Sequence, residues 1–232
     1  MNWIRLIADM LHLASMIILI LKIRNSRNCV GISSKTQEVY LLVFCMWYLD
    51  LFLYFLSLYN TLMKIAFIVA TTYTIYLIRI KKPYCDTYEP SKDNFSHFLY
   101  LPPLAAVFTF ITHTEFSIFE MIWSYSIWLE AFAIMPQLYL LQSLGQVENI
   151  MSNYIVTLGL YRFFYILHWY WKEIIYRLYN YFWKQELVWT SLLAGIVQTL
   201  LYADFFYYYY ILRFSEEGLS VRKGHNNVIL PV

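Results

Sequence analysis

The chain has 232 residues, of which 60% are hydrophobic, 21% are aromatic and only 14% are charged. A water-soluble domain of this size cannot bury so much apolar surface, so the composition predicts an integral membrane protein that uses the lipid bilayer as its solvent. The formal net charge of +2 is too small and too dispersed along the chain for a nucleic-acid-binding protein.

Seven apolar runs are long enough to cross about 30 Å of hydrocarbon, which takes roughly 20 residues of α-helix. We therefore predict an all-α membrane protein with seven transmembrane helices. The first run contains Arg5 and Asp9 and lacks a small-residue cleavage site, so we expect it to remain as an anchor and not to be a removable signal peptide. In chain order, the predicted spans are residues 4–21, 38–58, 62–80, 97–113, 117–141, 151–172 and 187–212.

Lysine and arginine residues are concentrated in the first and third connections and in the segment after the last span. The positive-inside rule then predicts that the N-terminus lies in the lumen and the C-terminus in the cytosol. Lys64, at the beginning of the third predicted span, is counted with the second connection, on the lumenal side. We predict a seven-helix membrane domain over residues 1–212 and a cytosolic tail over residues 213–232.

Two parts of the chain are weakly similar to each other. Residues 21–33 and 140–152 share a similar pattern of serine and isoleucine, and each is followed by an aromatic helix with an ionisable residue inside the membrane. That residue is Asp50 in the first half and Arg162 in the second. We predict two parallel three-helix repeats joined by the fourth helix, an architecture of the SWEET and PQ-loop type.

Ionisable and aromatic residues recur at helical spacing inside four predicted spans. A charged side chain at mid-membrane costs about 2.5–3.5 kcal/mol on insertion scales, so each needs a partner or a function. Ion pairs between helices would account for single charges, whereas both signs together with aromatic rings favour a polar cavity. The four stripes are Arg5, Asp9 and His12; Trp47, Asp50 and Tyr54; Glu120, Trp123 and Glu130; and Tyr161, Tyr165, Trp169 and Lys172, with Arg162 adjoining the last.

Such a cavity suits a ligand that carries both carboxylates and an ammonium group. Arginine binds carboxylates in a bidentate way, and Glu120 beside Trp123 offers a negative charge and a ring face to a cation. A short acidic peptide with one basic residue meets these requirements, whereas a neutral sugar would not need several buried cations. His12 is a candidate pH sensor because imidazole titrates between mildly acidic and neutral pH, although a lone helical histidine is often only a core residue.

The sequence contains no nucleophile–base pair, phosphate-binding loop or metal-ligand cluster with suitable spacing. We therefore predict that the protein is not an enzyme, and we expect neither a cofactor nor a metal. Cys29, Cys45 and Cys85 are odd in number and lack paired spacing, so we interpret them as structural thiols.

Distinctive short motifs lie along nearly the whole chain, up to about Leu212. The motifs are Met1-Asn2, Arg5-Leu6, Asp9 and His12-Leu13; Leu21-Lys22-Ile23 to Gly31-Ile32-Ser33; Tyr48-Leu49-Asp50-Leu51-Phe52; Ser57-Leu58-Tyr59-Asn60; Pro136-Gln137-Leu138; Gly159-Leu160-Tyr161-Arg162; and Ala194-Gly195, Gln198-Thr199, Tyr202 and Asp204-Phe205-Phe206-Tyr207. Together they resemble the motifs of KDEL receptors. The resemblance implies a receptor in Golgi and endoplasmic reticulum (ER) membranes that binds Lys/His-Asp-Glu-Leu termini of lumenal proteins at the lower Golgi pH and releases them in the ER.

The resemblance also implies roles for individual residues. The residues expected to bind the carboxylates of the ligand are Arg5, Arg162 and Lys172. Those expected to bind the basic residue at the start of the tetrapeptide are Glu120, Trp123 and Trp169. His12 is expected to sense protons, and a hydrogen bond between Glu130 and Tyr161 is expected to stabilise the loaded state. The other predicted ligand-binding residues are Trp47, Asp50 and Tyr165.

Some features depart from the family pattern. Trp47 and Lys172 each stand where the family usually has an arginine, and the connection from Lys172 to Leu187 is longer than usual. The dipeptide Arg222-Lys223 in the tail is expected to bind the COPI coat, although a solvated basic tail needs no partner. The main alternative function is a SWEET-like transporter of small solutes, which shares the same fold and repeat.

Overall fold

The computed structural model describes residues 3–52, 55, 57–113, 116–144, 149–179, 190–204 and 206–207, with the backbone alone at residues 50, 52, 149, 150, 152 and 172–179. The described chain consists of α-helices, two short 3-10 helices and their connections, without strands. A further helical segment covers residues 190–204 and 206–207. The helices are α1 (Trp3–Ser26), α2 (Ser34–Trp47), α3 (Leu58–Arg79), α4 (His97–Thr112), α5 (Ile118–Phe132), α6 (Met135–Leu144) and α7 (Asn149–Tyr179), and the 3-10 helices are Leu49–Phe52 and Cys85–Thr87.

The predicted all-α membrane architecture is confirmed. Among the described residues, three stretches are long and apolar enough to cross a membrane, namely α1, α3 and the α5–α6 stretch Ile118–Leu144, and α4 is a shorter apolar helix. Helices α2 and α7 and the last helical segment occupy the remaining places in the predicted order. With α5 and α6 taken as one interrupted span, three helical spans precede α4 and three follow it.

The boundaries predicted for the second span were wrong. The predicted span covered residues 38–58, whereas α2 ends at Trp47 and α3 begins at Leu58. A serine caps the first turn of each helix. Oγ of Ser33 accepts a hydrogen bond from the backbone N–H of Thr36, and Oγ of Ser57 accepts one from that of Asn60, each at 3.2 Å. A hydropathy profile alone does not locate the first residues of these helices, because the capping residues are polar.

Two expectations change with these boundaries. Lys64 lies in the second turn of α3 and not in a connection, because α3 begins at Leu58. The stripe of Trp47, Asp50 and Tyr54 assumed one continuous helix, but α2 ends at Trp47 and Asp50 belongs to a 3-10 helix. Tyr54 lies outside the described residues.

The fifth span, predicted to run unbroken over residues 117–141, is interrupted after Phe132. The cause is Pro136, which has no backbone N–H to donate and whose ring would clash with the carbonyl group four residues earlier. That carbonyl belongs to Phe132, the last residue of α5. A new helix, α6, begins at Met135, and proline is well tolerated in its first turn.

Close packing of α7 against the last helical segment depends on two glycines. A β-carbon added to Gly159 would lie 3.3 Å from a ring atom of Phe206, and one added to Gly195 would lie 3.1 Å from Ile166. Membrane helices lack a hydrophobic force between them and associate through close contact at small residues. The two glycines therefore allow α7, which also packs along α1, to approach its neighbour.

The connection between α1 and α2 is tied to α6 by the side chain of Gln137. Its amide nitrogen donates to the carbonyl of Gly31 (2.7 Å), and its amide oxygen accepts from the backbone N–H of Ser33 (2.9 Å). The backbone N–H of Gln137 donates to Oγ1 of Thr36 at 2.9 Å. Gly31 has a positive φ of 76°, which a glycine adopts without strain. We name these four residues the Gln137 cluster.

Asp93 reinforces the same end of the bundle. Its carboxylate accepts hydrogen bonds from Oγ of Ser33 (2.9 Å) and from the hydroxyl of Tyr88 (2.8 Å). Nearby, Cys29 is buried, and this burial raises the pKa of its thiol to about 11. The end where α1 meets α2 is therefore filled by buried polar contacts that hold two connections in place.

Candidate functional site

A cavity of about 380 Å³ lies where α1, α3 and α5 begin and α2 ends. It includes charged, polar and aromatic side chains from five parts of the chain, as the stripes predicted. Its walls come from α1, the end of α2, α3, α5 and α7. The lining residues are Arg5, Asp9, His12, Met46, Trp47, Tyr48, Leu49, Asn60, Met63, Lys64, Phe67, Phe119, Ile122, Trp123, Glu130 and Tyr165.

The stripe predicted on α1 faces this cavity. Arg5, Asp9 and His12 all line it, since residues three and four positions apart share one side of a helix. The side chain of Arg5 is half exposed, whereas Asp9 and His12 are buried. The guanidinium group of Arg5 is thus the accessible cation of this wall.

Asp9 is held by groups from three helices. One carboxylate oxygen accepts a hydrogen bond from the hydroxyl of Tyr59 on α3 at 2.9 Å, and the other accepts from the hydroxyl of Tyr165 on α7. Nε of Arg5 lies 3.8 Å from the oxygen that faces Tyr59. Nη2 of Arg5 also donates to Oδ1 of Asn60 at 3.5 Å, so two neighbours restrain this guanidinium group.

The floor of the cavity contains a buried ion pair. Nη2 of Arg162 lies 2.8 Å from the carboxylate of Glu130, and both residues are almost completely buried. The hydroxyl of Tyr161 donates to the other oxygen of Glu130 at 3.0 Å, and Nε of Arg162 donates to the amide oxygen of Gln198. Burying two charges costs free energy. Their mutual attraction, which is strong in a medium of low dielectric, and additional hydrogen bonds offset that cost only when both partners are present.

His12 lies directly beside this ion pair. Its imidazole ring stacks on the ring of Tyr161 with a centroid distance of 4.1 Å and packs against Phe67 at 4.8 Å. Nε2 of His12 is buried and has no hydrogen-bond partner among the described residues. Tyr161 donates to Glu130, and Arg162 pairs with the same carboxylate, so protonation of His12 would add charge next to a compact buried cluster.

The first turns of α3 supply a wall that was not predicted from the sequence, and they lie next to the predicted Trp47 at the end of α2. Nζ of Lys64 lies 5.4 Å from the ring centroid of Tyr48, and the ring of Trp47 lies 6.2 Å from that of Tyr48. Asn60, Lys64 and Phe67 are spaced four and three residues apart and all line the cavity. The serine cap at Ser57, three residues before Asn60, was the signal in the sequence that would have revealed this stripe.

The predicted site residues fall into three groups. Glu120 in the first turn of α5 and Trp169 on α7 are not part of the lining. Tyr161 and Arg162 lie behind the lining, in contact with Glu130. Six predicted residues line the cavity directly: Arg5, His12, Trp47, Trp123, Glu130 and Tyr165.

Four further predicted residues have side chains that the structure does not describe. The side chains of Asp50 and Lys172 are not described, and neither is any part of the tail that carries Arg222 and Lys223. Their predicted roles stay predictions. Within the described residues, no group of histidine, cysteine and acidic side chains could hold a metal ion.

The chain is similar to known proteins over almost its entire length. A family model described as ER lumen protein retaining receptor matches residues 28–172. An ER lumen protein-retaining receptor of Plasmodium falciparum is 49% identical over 221 residues, covering 94% of this chain and 96% of the relative. A receptor of the same name from Petunia hybrida is 45% identical over 212 residues, with 90% and 94% covered. ER lumen protein-retaining receptor 2 of Gallus gallus is 43% identical over 209 residues, with 90% and 93% covered.

Proposed function

Since the chain belongs to the ER lumen protein-retaining receptor family, we propose that it captures C-terminal Lys/His-Asp-Glu-Leu signals of lumenal proteins and returns them to the ER. Members of this family are receptors and not enzymes, so binding and release are the whole of the activity. In our proposal, loading takes place in the acidic Golgi, and retrograde COPI vesicles carry the loaded receptor. The cavity end of the bundle then faces the lumen, in line with the distribution of basic residues.

The composition of the cavity wall carries the proposal. Arg5 and Lys64 contribute positive charge at the cavity, and Trp47, Trp123 and Phe67 contribute apolar and aromatic surface. A peptide terminus with acidic side chains, a free carboxylate and an aliphatic last residue needs both kinds of surface. We infer that Arg5 and Lys64 bind carboxylates of the signal while the aromatic wall packs against its apolar part.

Arg162 has a different position from Arg5. Arg162 is buried behind the cavity lining, in contact with Glu130 and Gln198, so a ligand carboxylate can reach its guanidinium group only if one of them is displaced. While Glu130 stays paired with Arg162, the two charges cancel and Arg162 adds no net positive charge to the cavity. We propose that Arg162 receives a ligand carboxylate only after Glu130 has moved aside.

We propose that protonation of His12 couples peptide binding to pH. A proton on His12 adds a positive charge beside Glu130 and Tyr161, and an acidic peptide interacts more favourably with the more positive cavity. By linkage, a ligand that binds the protonated receptor more tightly is held more strongly at lower pH and is released as the pH rises. Imidazole is the side chain whose titration range matches a change from Golgi to ER pH.

Binding of labelled peptides to the purified protein tests the proposal. We expect peptides ending in Lys-Asp-Glu-Leu or His-Asp-Glu-Leu to bind tightly at about pH 5.5 and weakly at about pH 7.4, a window that brackets histidine titration. Peptides with the last four residues scrambled serve as controls. Equal binding of cognate and scrambled peptides, or no binding at either pH, would contradict the receptor function.

A pair of histidine variants tests the sensor separately. His12→Ala is expected to remove most of the pH dependence, because the titrating group beside Glu130 is lost. His113→Ala is the matched control, since His113 follows α4 and is not part of the cavity lining. A normal pH dependence in His12→Ala would mean that another group senses the proton.

A further inference from the structure

Asp9 occupies a position in the cavity wall where three helices meet. It is buried on α1, and it accepts hydrogen bonds from Tyr59 on α3 and from Tyr165 on α7, one at each carboxylate oxygen. The same carboxylate lies 3.8 Å from the guanidinium group of Arg5, one helical turn earlier. Burying a carboxylate costs free energy, and the interactions with these three partners offset that cost.

A carboxylate is the side chain that this geometry requires. It accepts from two hydroxyl groups at once and still attracts a cation, whereas an asparagine amide has one acceptor oxygen and no charge. Tyr59 and Tyr165 therefore fix Asp9, and Asp9 with Asn60 fixes Arg5. We infer that Asp9 is a positioning residue that holds Arg5 in the orientation that binds a carboxylate of the peptide; this inference rests on the proposed function.

The benefit of this arrangement is preorganisation. A free arginine side chain loses rotamer freedom when it binds a ligand, and a restrained one has already lost it. Arg5 has five N–H donors, and its contacts with Asp9 and Asn60 leave the others available to a ligand. Loss of the restraint should weaken binding of a carboxylate by about threefold to tenfold, the effect of ordering one long side chain.

Tyr59 makes the inference testable because it contacts Asp9 without lining the cavity. Tyr59→Phe removes one hydroxyl group, keeps the ring, and alters the ligand site only through Asp9. Tyr76→Phe is the matched control, since Tyr76 is an exposed tyrosine on the same helix, far along the chain from the cavity wall. Asp9→Asn is the stronger perturbation, and the double variant tests whether both act on one group.

The experiment compares four peptides: the cognate sequence and three versions in which the terminal carboxylate, the aspartate or the glutamate is neutralised as an amide. We expect Tyr59→Phe to weaken binding of the cognate peptide by about threefold to tenfold, and this loss to disappear with one of the neutralised peptides, which identifies the carboxylate bound by Arg5. The double variant should bind no worse than Asp9→Asn alone. Unchanged binding in Tyr59→Phe, or an equal loss with all four peptides, would overturn the inference.

A measurement without peptide separates this inference from the proposed function. Phenylglyoxal modifies accessible arginines, and mass spectrometry gives the rate at Arg5. We expect Tyr59→Phe and Asp9→Asn to raise that rate while Tyr76→Phe leaves it unchanged. If the wild-type protein bound no peptide, the receptor function would fail, yet a raised rate would still show that Asp9 positions Arg5. Equal rates in all variants would reject the positioning role itself.

Discussion

At the scale of single residues, the buried pair of Arg162 and Glu130 shows how a membrane protein keeps charge in its interior. Both side chains are almost inaccessible, and Tyr161 and Gln198 each add a hydrogen bond to the pair. The sequence predicted that these charges lie inside the bundle, because hydropathy and spacing reveal a polar face. It could not predict that they pair with each other, because pairing depends on how α5 and α7 pack.

Removing one partner should therefore be far more damaging than removing both. Arg162→Met leaves the carboxylate of Glu130 buried without a cation, and we expect it to lower the free energy of unfolding by about 3–5 kcal/mol. The double variant Arg162→Met with Glu130→Gln should recover a large part of this loss. Thermal unfolding in detergent gives the comparison, and a double variant less stable than the single one would contradict the pairing.

At the scale of elements, the residues that interrupt helices are as informative as those that form them. Pro136 interrupts the span between α5 and α6, and the next residue, Gln137, forms hydrogen bonds with the connection between α1 and α2. The sequence contained both signals, a proline inside an apolar run and a glycine after α1. The hydrogen bonds across more than a hundred residues became visible only in three dimensions.

The Gln137 cluster should be a large contributor to stability. Gln137→Ala leaves the half-buried carbonyl of Gly31 and the buried N–H of Ser33 without these partners, and we expect a loss of roughly 2–4 kcal/mol from two unsatisfied groups. Gln142→Ala is the matched control, because Gln142 is exposed on the same helix. Thermal unfolding should separate the two variants clearly, and similar melting temperatures would show that the cluster contributes little.

At the scale of the whole molecule, the cavity brings together residues that are far apart in the sequence. Stripes on individual helices identified most of the polar wall, since spacing determines which residues share a face. The contribution of α3 was missed because Lys64 was assigned to a connection. The capping serine Ser57, and not the hydropathy profile, marks where α3 begins and so places Lys64 inside the helix.

The tail is tested best in the cell. We propose that Arg222 and Lys223 bind the coat, so their joint replacement by alanine should leave peptide binding intact but cause secretion of a lumenal reporter that ends in Lys-Asp-Glu-Leu. Replacement of Lys81 and Lys82, two exposed lysines of the third connection, removes the same charge on the same predicted side and should not cause secretion. Equal secretion in both double variants would point to net charge and not to a coat signal.

The Gln137 cluster has one more consequence. A binding chamber whose far end is blocked by buried polar contacts exchanges its contents with a single compartment, through the opening by which they entered. While those contacts hold, the chamber opens to one side of the bilayer only. A solute gradient across the bilayer then cannot change its occupancy, which equilibrates with the solution at its opening. In the function that we propose, the occupancy of the receptor follows the chemistry of the organelle in which it resides, and the vesicle that moves it supplies the direction of transport.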